Sequence, residues 1–542
     1  MMSLEPIRTK VPTSIKSYFP FQTLSTIIFN RFAGLVLASI LLATLVFPRV
    51  QEHVPRSLWT LLGCAVGIGI IILVKNLPAK SPGRPSPNGV WLLAVVGAMC
   101  AGSVAVVVGR ALSFDYGWDA RVVMEAAQTL AVGSDLGAYP YDYFSRYPNN
   151  IPLLALDRLI VSGASLFGIP LGTAIAFLNG VCVTVVSISV FISVKTLSST
   201  RFAFLSQGMV FAFFAFSPWL AVPYTDLPVA ALLALSVALW LVTFSESKSG
   251  VTTLAVCAMS GIAAGAAIAL KPTAMILLIA MSLSVLSGTR RGRWRRATTR
   301  LGTALGAACI VIILSSSLLP AAAGLDTAKL DASRAFPMHH FARMGLIEAP
   351  GENGATRYGG YDAAAVKEMG AAETVAERKA LSLAAMESEL RAMGPVGYPS
   401  FLGKKAIWIW SDGTFGSWVE GRDHGERLGR DGALSTALQS FLHPAGASWP
   451  LWSASLTGLW FALLLTISFF LWPQGRRTDV LVLSLSVLGI GAFSLLFEGR
   501  ARYLIIFLPA IITLASCLPA YPGAWRALQH RRNPARAKDT HE

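Results

Sequence analysis

Residues 151–168 read Ile-Pro-Leu-Leu-Ala-Leu-Asp-Arg-Leu-Ile-Val-Ser-Gly-Ala-Ser-Leu-Phe-Gly, an apolar run with Asp157 and Arg158 at its middle. Whether it crosses a bilayer decides the orientation of everything after it. It is shorter than the roughly 20 residues that span a hydrocarbon core. A central pair of ionisable residues is also expensive in lipid. It is therefore read as a re-entrant or interfacial helix that returns to the side it came from.

Working outward, long and nearly uncharged runs recur on both sides. Full spans are expected near residues 32–48, 57–75, 90–110, 172–195, 203–220, 227–245, 251–270, 272–288, 303–323, 451–472, 479–496 and 503–520. The chain is 54% hydrophobic and 14% charged, against about 25% charged residues in a soluble domain. Too few charges remain to cover a water-facing surface. The predicted fold is an all-α polytopic membrane helix bundle of about 12 spans, with one re-entrant helix and a large extracytoplasmic loop. No cleavable leader is read, and the first run, near Phe32, is taken as a retained span.

The formal charge of +16 falls in short segments between spans, with no long basic arm of the nucleic-acid-binding kind. Short cytoplasmic loops collect Lys and Arg. With the N-terminus inside (Arg8, Lys10, Lys16), the inner set becomes Lys75 to Arg84, Lys195 to Arg201, Arg290 to Arg300, Arg476-Arg477 and the tail from Arg526 to Lys538. Counting 151–168 as a complete span would put the six arginines between Arg290 and Arg300 outside. Both termini are expected in the cytoplasm of a multi-pass cell-membrane protein. The six cysteines all lie in apolar runs and are read as small packing residues, without metal-ligand spacing.

This topology gathers several segments on the outer face: Leu112 to Asn150, Tyr224-Thr225-Asp226, Lys271-Pro272, the loop Leu325–Pro450, and Glu498 to Arg502. Polar groups from the outer ends of different helices are candidates for one shared site. The chain divides into an N-terminal transmembrane module, 1–323, with its first outer loop at 111–150. A loop domain follows at 324–450, then C-terminal helices and a basic tail at 451–542. Within the loop domain, Ala363 to Met393 has the spacing of an amphipathic surface helix. Lys404 to Trp410 reads as interfacial, tryptophan favouring the headgroup level.

Asp119 opens an amphipathic helix in the first outer loop. It is either that helix's N-cap or a general base at the mouth of the bundle, and one oxygen can serve each role. Tyr143-Phe144-Ser145-Arg146-Tyr147-Pro148-Asn149-Asn150-Ile151-Pro152 reads as an extended turn leading into a helix.

The acidic first outer loop, the Tyr-Pro-Asn-Asn segment before a short apolar helix and the outer Tyr-Thr-Asp together resemble the GT-C superfamily of membrane glycosyltransferases. Protein O-mannosyltransferases and lipid A aminoarabinose transferases belong to it. The sequence looks closer still to a bacterial group of uncharacterised integral membrane proteins. That likeness continues at Pro337 to Phe341, Met344 to Leu346, Trp410 to Phe415 and Arg502-Tyr503. No Trp-Trp-Asp signature of oligosaccharyltransferases is present.

The resemblance implies a sugar donor on a polyprenyl phosphate, a cell-envelope glycan or lipid acceptor, and a first-loop Asp as catalytic base. That base falls on Asp119, with Asp115 as rival. Neither a metal nor another cofactor is expected. A carboxylate on the face opposite the leaving group activates the acceptor hydroxyl for inverting transfer, and cations offset the charge on the departing phosphate. Lys271, Arg500 and Arg502 are the candidates, with a snorkelling role open for Lys271 and a salt bridge to Glu498 open for the arginines. Asp226 is either a helix cap or an acceptor-orienting group. His340, Asp412, Asn149, Asn150 and Tyr503 complete the substrate-binding candidates. Competing readings are a transporter or flippase of lipid-linked sugars, or an envelope polysaccharide polymerase or ligase. The first would show midplane polar groups and repeat symmetry. The second would show an arginine-rich outer loop, at which Arg343 and Arg422 to Arg430 hint.

Overall fold

The computed structural model describes residues 20–46, 57–77, 86–112, 116–245, 250–289, 291–350, 356–417 and 432–520. Asp115, the basic termini and Arg422 to Arg430 lie outside the described residues. Among the described residues the fold is helical, apart from a two-stranded antiparallel pair of β1 (Glu348–Pro350) and β2 (Thr356–Tyr358).

Among the described residues, eight helices are long and apolar enough to cross a bilayer. These are α1 (Pro20–Val46), α2 (Leu58–Asn76), α3 (Pro87–Ala111), α7 (Leu171–Leu197), α9 (Asp226–Ser245), α10 (Val251–Leu270), α12 (Trp294–Ala323) and α17 (Trp449–Leu471). The other four expected spans form shorter helices: α8 (Thr200–Phe214), α11 (Met275–Gly288), α18 (Leu481–Leu496) and α19 (Leu508–Cys517). Prolines explain three of these limits. Pro218, Pro272 and Pro509 supply no amide hydrogen, and the chain at or before each adopts 3-10 turns.

Lipid offers no hydrophobic drive between helices, so they associate by close packing of small residues. Gly261 of α10 lies directly against the Ala304 carbonyl of α12, and Gly458 of α17 against that of Thr60 in α2. Large side chains such as Leu61, Leu73, Ile313 and Leu318 point outward. Of the cysteines, Cys182, Cys257 and Cys517 are buried as expected of packing residues, whereas Cys100 and Cys309 are exposed.

The bundle has two chemically distinct ends. At one, Asn30 donates to the carbonyls of Gly475 (3.0 Å) and Arg477 (2.9 Å), Arg477 donates to Leu197, and Arg300 to Thr243 (2.7 Å). This basic end gathers Lys75, Lys195, Arg201, Arg293 to Arg300 and Arg476-Arg477, every one from a segment assigned to the cytoplasm.

The opposite end carries α4 (Trp118–Ala131), α5 (Ala138–Arg146) and α6 (Ile151–Leu166). They form a small core of their own, in which Val123, Ala127, Phe144 and Leu154 pack against Ala323 and Leu325 at the far end of α12. The apolar run around Asp157 and Arg158 is thus a 16-residue helix beside α4, α7 and α12. Its two ionisable residues do not pair. Arg158 donates to the Ala322 carbonyl at the end of α12 (3.1 Å), while Asp157 is buried, which pushes its carboxyl pKa well up.

The loop domain contains α13 (Met338–Met344), α14 (Ala363–Ala371), α15 (Val375–Trp410) and α16 (Ala433–Leu442). The expected helix from Ala363 to Met393 is broken between α14 and α15, then runs on to Trp410 across a kink at Gly394, whose φ is 63°. The interfacial reading of Lys404 to Trp410 is corrected. Trp408 and Trp410 are buried, and Trp410 stacks on Trp460 of α17, its carbonyl accepting that indole's N–H at 2.7 Å.

Candidate functional site

The site begins at Trp118, whose φ of 51° lies in the left-handed region. Such a conformation costs a bulky residue about 1–3 kcal/mol, and strain of this kind concentrates at functional positions. The N-cap of α4 is Gly117, so Asp119 lies inside the first turn and does not cap it. Its carboxylate is engaged elsewhere. The Tyr143 hydroxyl donates to Oδ1 at 2.7 Å and the Tyr224 hydroxyl to Oδ2 at 3.3 Å. Behind Tyr143, the Asn150 amide donates to the phenol oxygen at 2.5 Å. Burial first, then the charge of Asp119, pushes both phenols well above their ordinary pKa. Both remain donors across the physiological range.

Tyr224 is also the bridge to the second carboxylate. Asp226 opens α9, and its side chain pairs with Lys271 through Oδ1 and with the Arg502 Nε through Oδ2 at 3.5 Å. Arg502 is 5% exposed and lies over the rings of Trp118 (4.2 Å) and Tyr224 (4.7 Å). Lys271 lies over Tyr503 (4.6 Å) and Tyr224 (5.8 Å). Two cations thus share one carboxylate beside Asp119. Arg500 meets Glu498 at 3.4 Å, the salt bridge left open by the sequence.

The structure therefore brings Asp119, Asn150, Asp226, Lys271, Arg502 and Tyr503 into one cluster, drawn from α4, the turn before α6, the ends of α9 and α10, and the 3-10 segment Ala501–Phe507 before α19. Asn149 is exposed at its edge, its amide on Asn150 Oδ1 at 3.2 Å. His340 lies one aromatic layer away, against Phe336 (4.8 Å), which in turn packs on Tyr147 (5.2 Å). Its ring is fully buried, and both nitrogens lack a hydrogen-bond partner among the described residues. Burial, and secondarily Arg343, lowers its pKa to about 4. Asp412 is not part of the cluster. Its oxygens accept from Thr414 N (2.8 Å), Thr414 Oγ1 (2.7 Å) and Gly416 N (2.8 Å), organising its own turn.

Sequence reasoning passed over Tyr143, Tyr224, Trp118, Trp219 and Lys405. Tyr143 lies on α5 and Asn150 in the 3-10 turn before α6, with non-helical Tyr147 between them, so no single periodicity in the sequence links the two. The indole nitrogens of Trp118 and Trp219 are buried without a hydrogen-bond partner among the described residues. Lys405 is fully buried at the junction of the loop domain and α18, where burial lowers its pKa to about 7 and Glu498 acts in the opposite sense.

No curated protein and no solved structure matches the chain. A family model described as conserved hypothetical integral membrane protein matches residues 23–521. With its apolar helices and outward-facing leucines, the chain belongs to that family of integral membrane proteins.

Proposed function

We propose that the chain is an inverting glycosyltransferase that moves a sugar from a polyprenyl-phosphate donor to a cell-envelope acceptor on the extracytoplasmic side. The observation that carries this reading is Tyr224, whose hydroxyl donates to the Asp119 carboxylate while its ring lies beneath Arg502. A base and a cationic patch thus stand one side chain apart. In the proposed step the acceptor hydroxyl gives its proton to Asp119 while its oxygen bonds to the anomeric carbon. The bond from that carbon to the phosphate oxygen breaks, its electron pair leaving with the polyprenyl phosphate. Attack opposite the leaving group inverts the centre.

Phosphate needs no proton to depart if cations meet its charge. Lys271 and Arg502, gathered at Asp226, supply those cations, and the buried indole donors add hydrogen bonds for phosphate or sugar oxygens. The two phenols hold both oxygens of the base and fix the lone pair that takes the proton.

The test is genetic. A deletion strain of the native host is complemented with wild type or with Asp119→Asn, and envelope glycans are compared at equal protein level. Loss of one defined sugar with Asp119→Asn supports the reading; full restoration by that variant removes its base.

A further inference from the structure

Arg502 reaches the cluster, with Arg500 on Glu498 beside it, from the connection after α18, and this connection is held by the loop domain. The Lys405 ammonium, from α15, donates to the carbonyls of Gly345 (2.7 Å), Leu495 (3.0 Å) and Phe497 (2.6 Å). Three carbonyls take up all three N–H bonds of an ammonium. Leu495 lies in the last turn of α18 and Phe497 is its C-cap residue. These are the carbonyls a helix end leaves unsatisfied, and a cation is favoured there. Two further bonds complete the grip: Glu498 N donates to the Phe341 carbonyl (2.8 Å) and Gly499 N to that of Gly359 (2.9 Å). Lys404, the adjacent residue, is exposed and lies over Tyr358 (5.6 Å), so only one of the two lysines enters the junction.

We propose that Lys405 is a positioning residue for the cationic half of the site, capping α18 from the loop domain so that Arg500 and Arg502 are aimed at Glu498 and Asp226. Its consequence for substrate rests on the reading of Arg502 as a phosphate-binding group. Without the ammonium, buried carbonyls at the helix end lose their donors. The connection then loosens just before the arginines. A displacement of about 1 Å at such a group is enough to cost on the order of a hundredfold.

The test uses the full chain in detergent, with hydrogen exchange of the Glu498 and Gly499 amides and binding of geranyl phosphate, a short polyprenyl monophosphate, as paired readouts. Lys405→Met is expected to speed exchange at both amides at least tenfold, leave α17 unchanged and weaken binding at least tenfold, as Arg502→Gln does. Lys405→Gln, which keeps two donors, should fall between and serves if Lys405→Met does not fold. Unchanged exchange at Glu498 and Gly499 overturns the proposal. So does faster exchange with unchanged affinity, because the arginines would then not depend on the cap. If wild type does not bind the probe, the donor reading fails instead, and the exchange data alone decide whether Lys405 holds the connection.

Discussion

Asp119 accepts hydrogen bonds from two phenols, and the sharper of them, from Tyr143, is itself backed by Asn150. Removing that hydroxyl should disorient the base without unfolding the protein. Tyr143→Phe is expected to lower transfer by about tenfold to a hundredfold, the size of one hydrogen bond to a charged group, with the melting temperature little changed. His340 gives a prediction in pH. Its pKa falls from 6.5 to about 4 in the folded chain. Between those values the unfolded chain binds a proton that the native chain does not, so stability is lost as pH drops through this window. The loss is complete near pH 4 and amounts to about 3 kcal/mol. In melts from pH 7 to pH 4, His340→Phe should remove that part of the acid sensitivity. At this scale the sequence was only partly legible. An Asp before an amphipathic run reads as a cap, yet Asp119 turns away to tyrosines 24 and 105 residues distant. Nor does a pair of adjacent lysines say which one is buried. Side-chain direction is set by tertiary partners that a local pattern does not contain.

Helices α10 and α12 meet where Gly261 leaves room for the Ala304 carbonyl. Gly261→Leu should separate them and destabilise the protein by about 1–3 kcal/mol, read as a lower melting temperature. Gly69→Ala in α2, where an added carbon meets nothing within 4 Å, is the neutral control. Elements were more legible than side chains, because the length of an apolar run reports directly on bilayer thickness. All eight long helices fall on expected spans. The remaining expected spans, 203–220, 272–288, 479–496 and 503–520, are met by shorter helices, and near Pro218, Pro272 and Pro509 the hydropathy continues where the α-helical hydrogen-bond ladder does not. Residues 151–168 were legible as an exception for the converse reason: Asp157 and Arg158 break the hydropathy, and the helix packs into a separate small core at the end of the bundle.

For the whole molecule, charge and polar chemistry segregate to opposite ends. By the positive-inside rule the basic end is expected in the cytoplasm and the Asp119 cluster outside. In a cysteine-free background, a cysteine at exposed Met338 at the start of α13 (Met338→Cys) should react with an impermeant maleimide on intact cells, and Arg476→Cys only after permeabilisation. The reverse pattern would invert the topology. The gathering of distant segments was legible because alternation of spans fixes which loops share a face; the pairing of Lys271 and Arg502 on Asp226 needed the folded chain. The most direct test of the chemistry is release of polyprenyl phosphate, followed by mass spectrometry, when purified protein is incubated with lipid-linked sugars extracted from the host envelope. Wild type should release it and transfer the sugar with inversion, and Asp119→Asn should be slower by about a hundredfold or more. Equal release by both proteins would contradict the account.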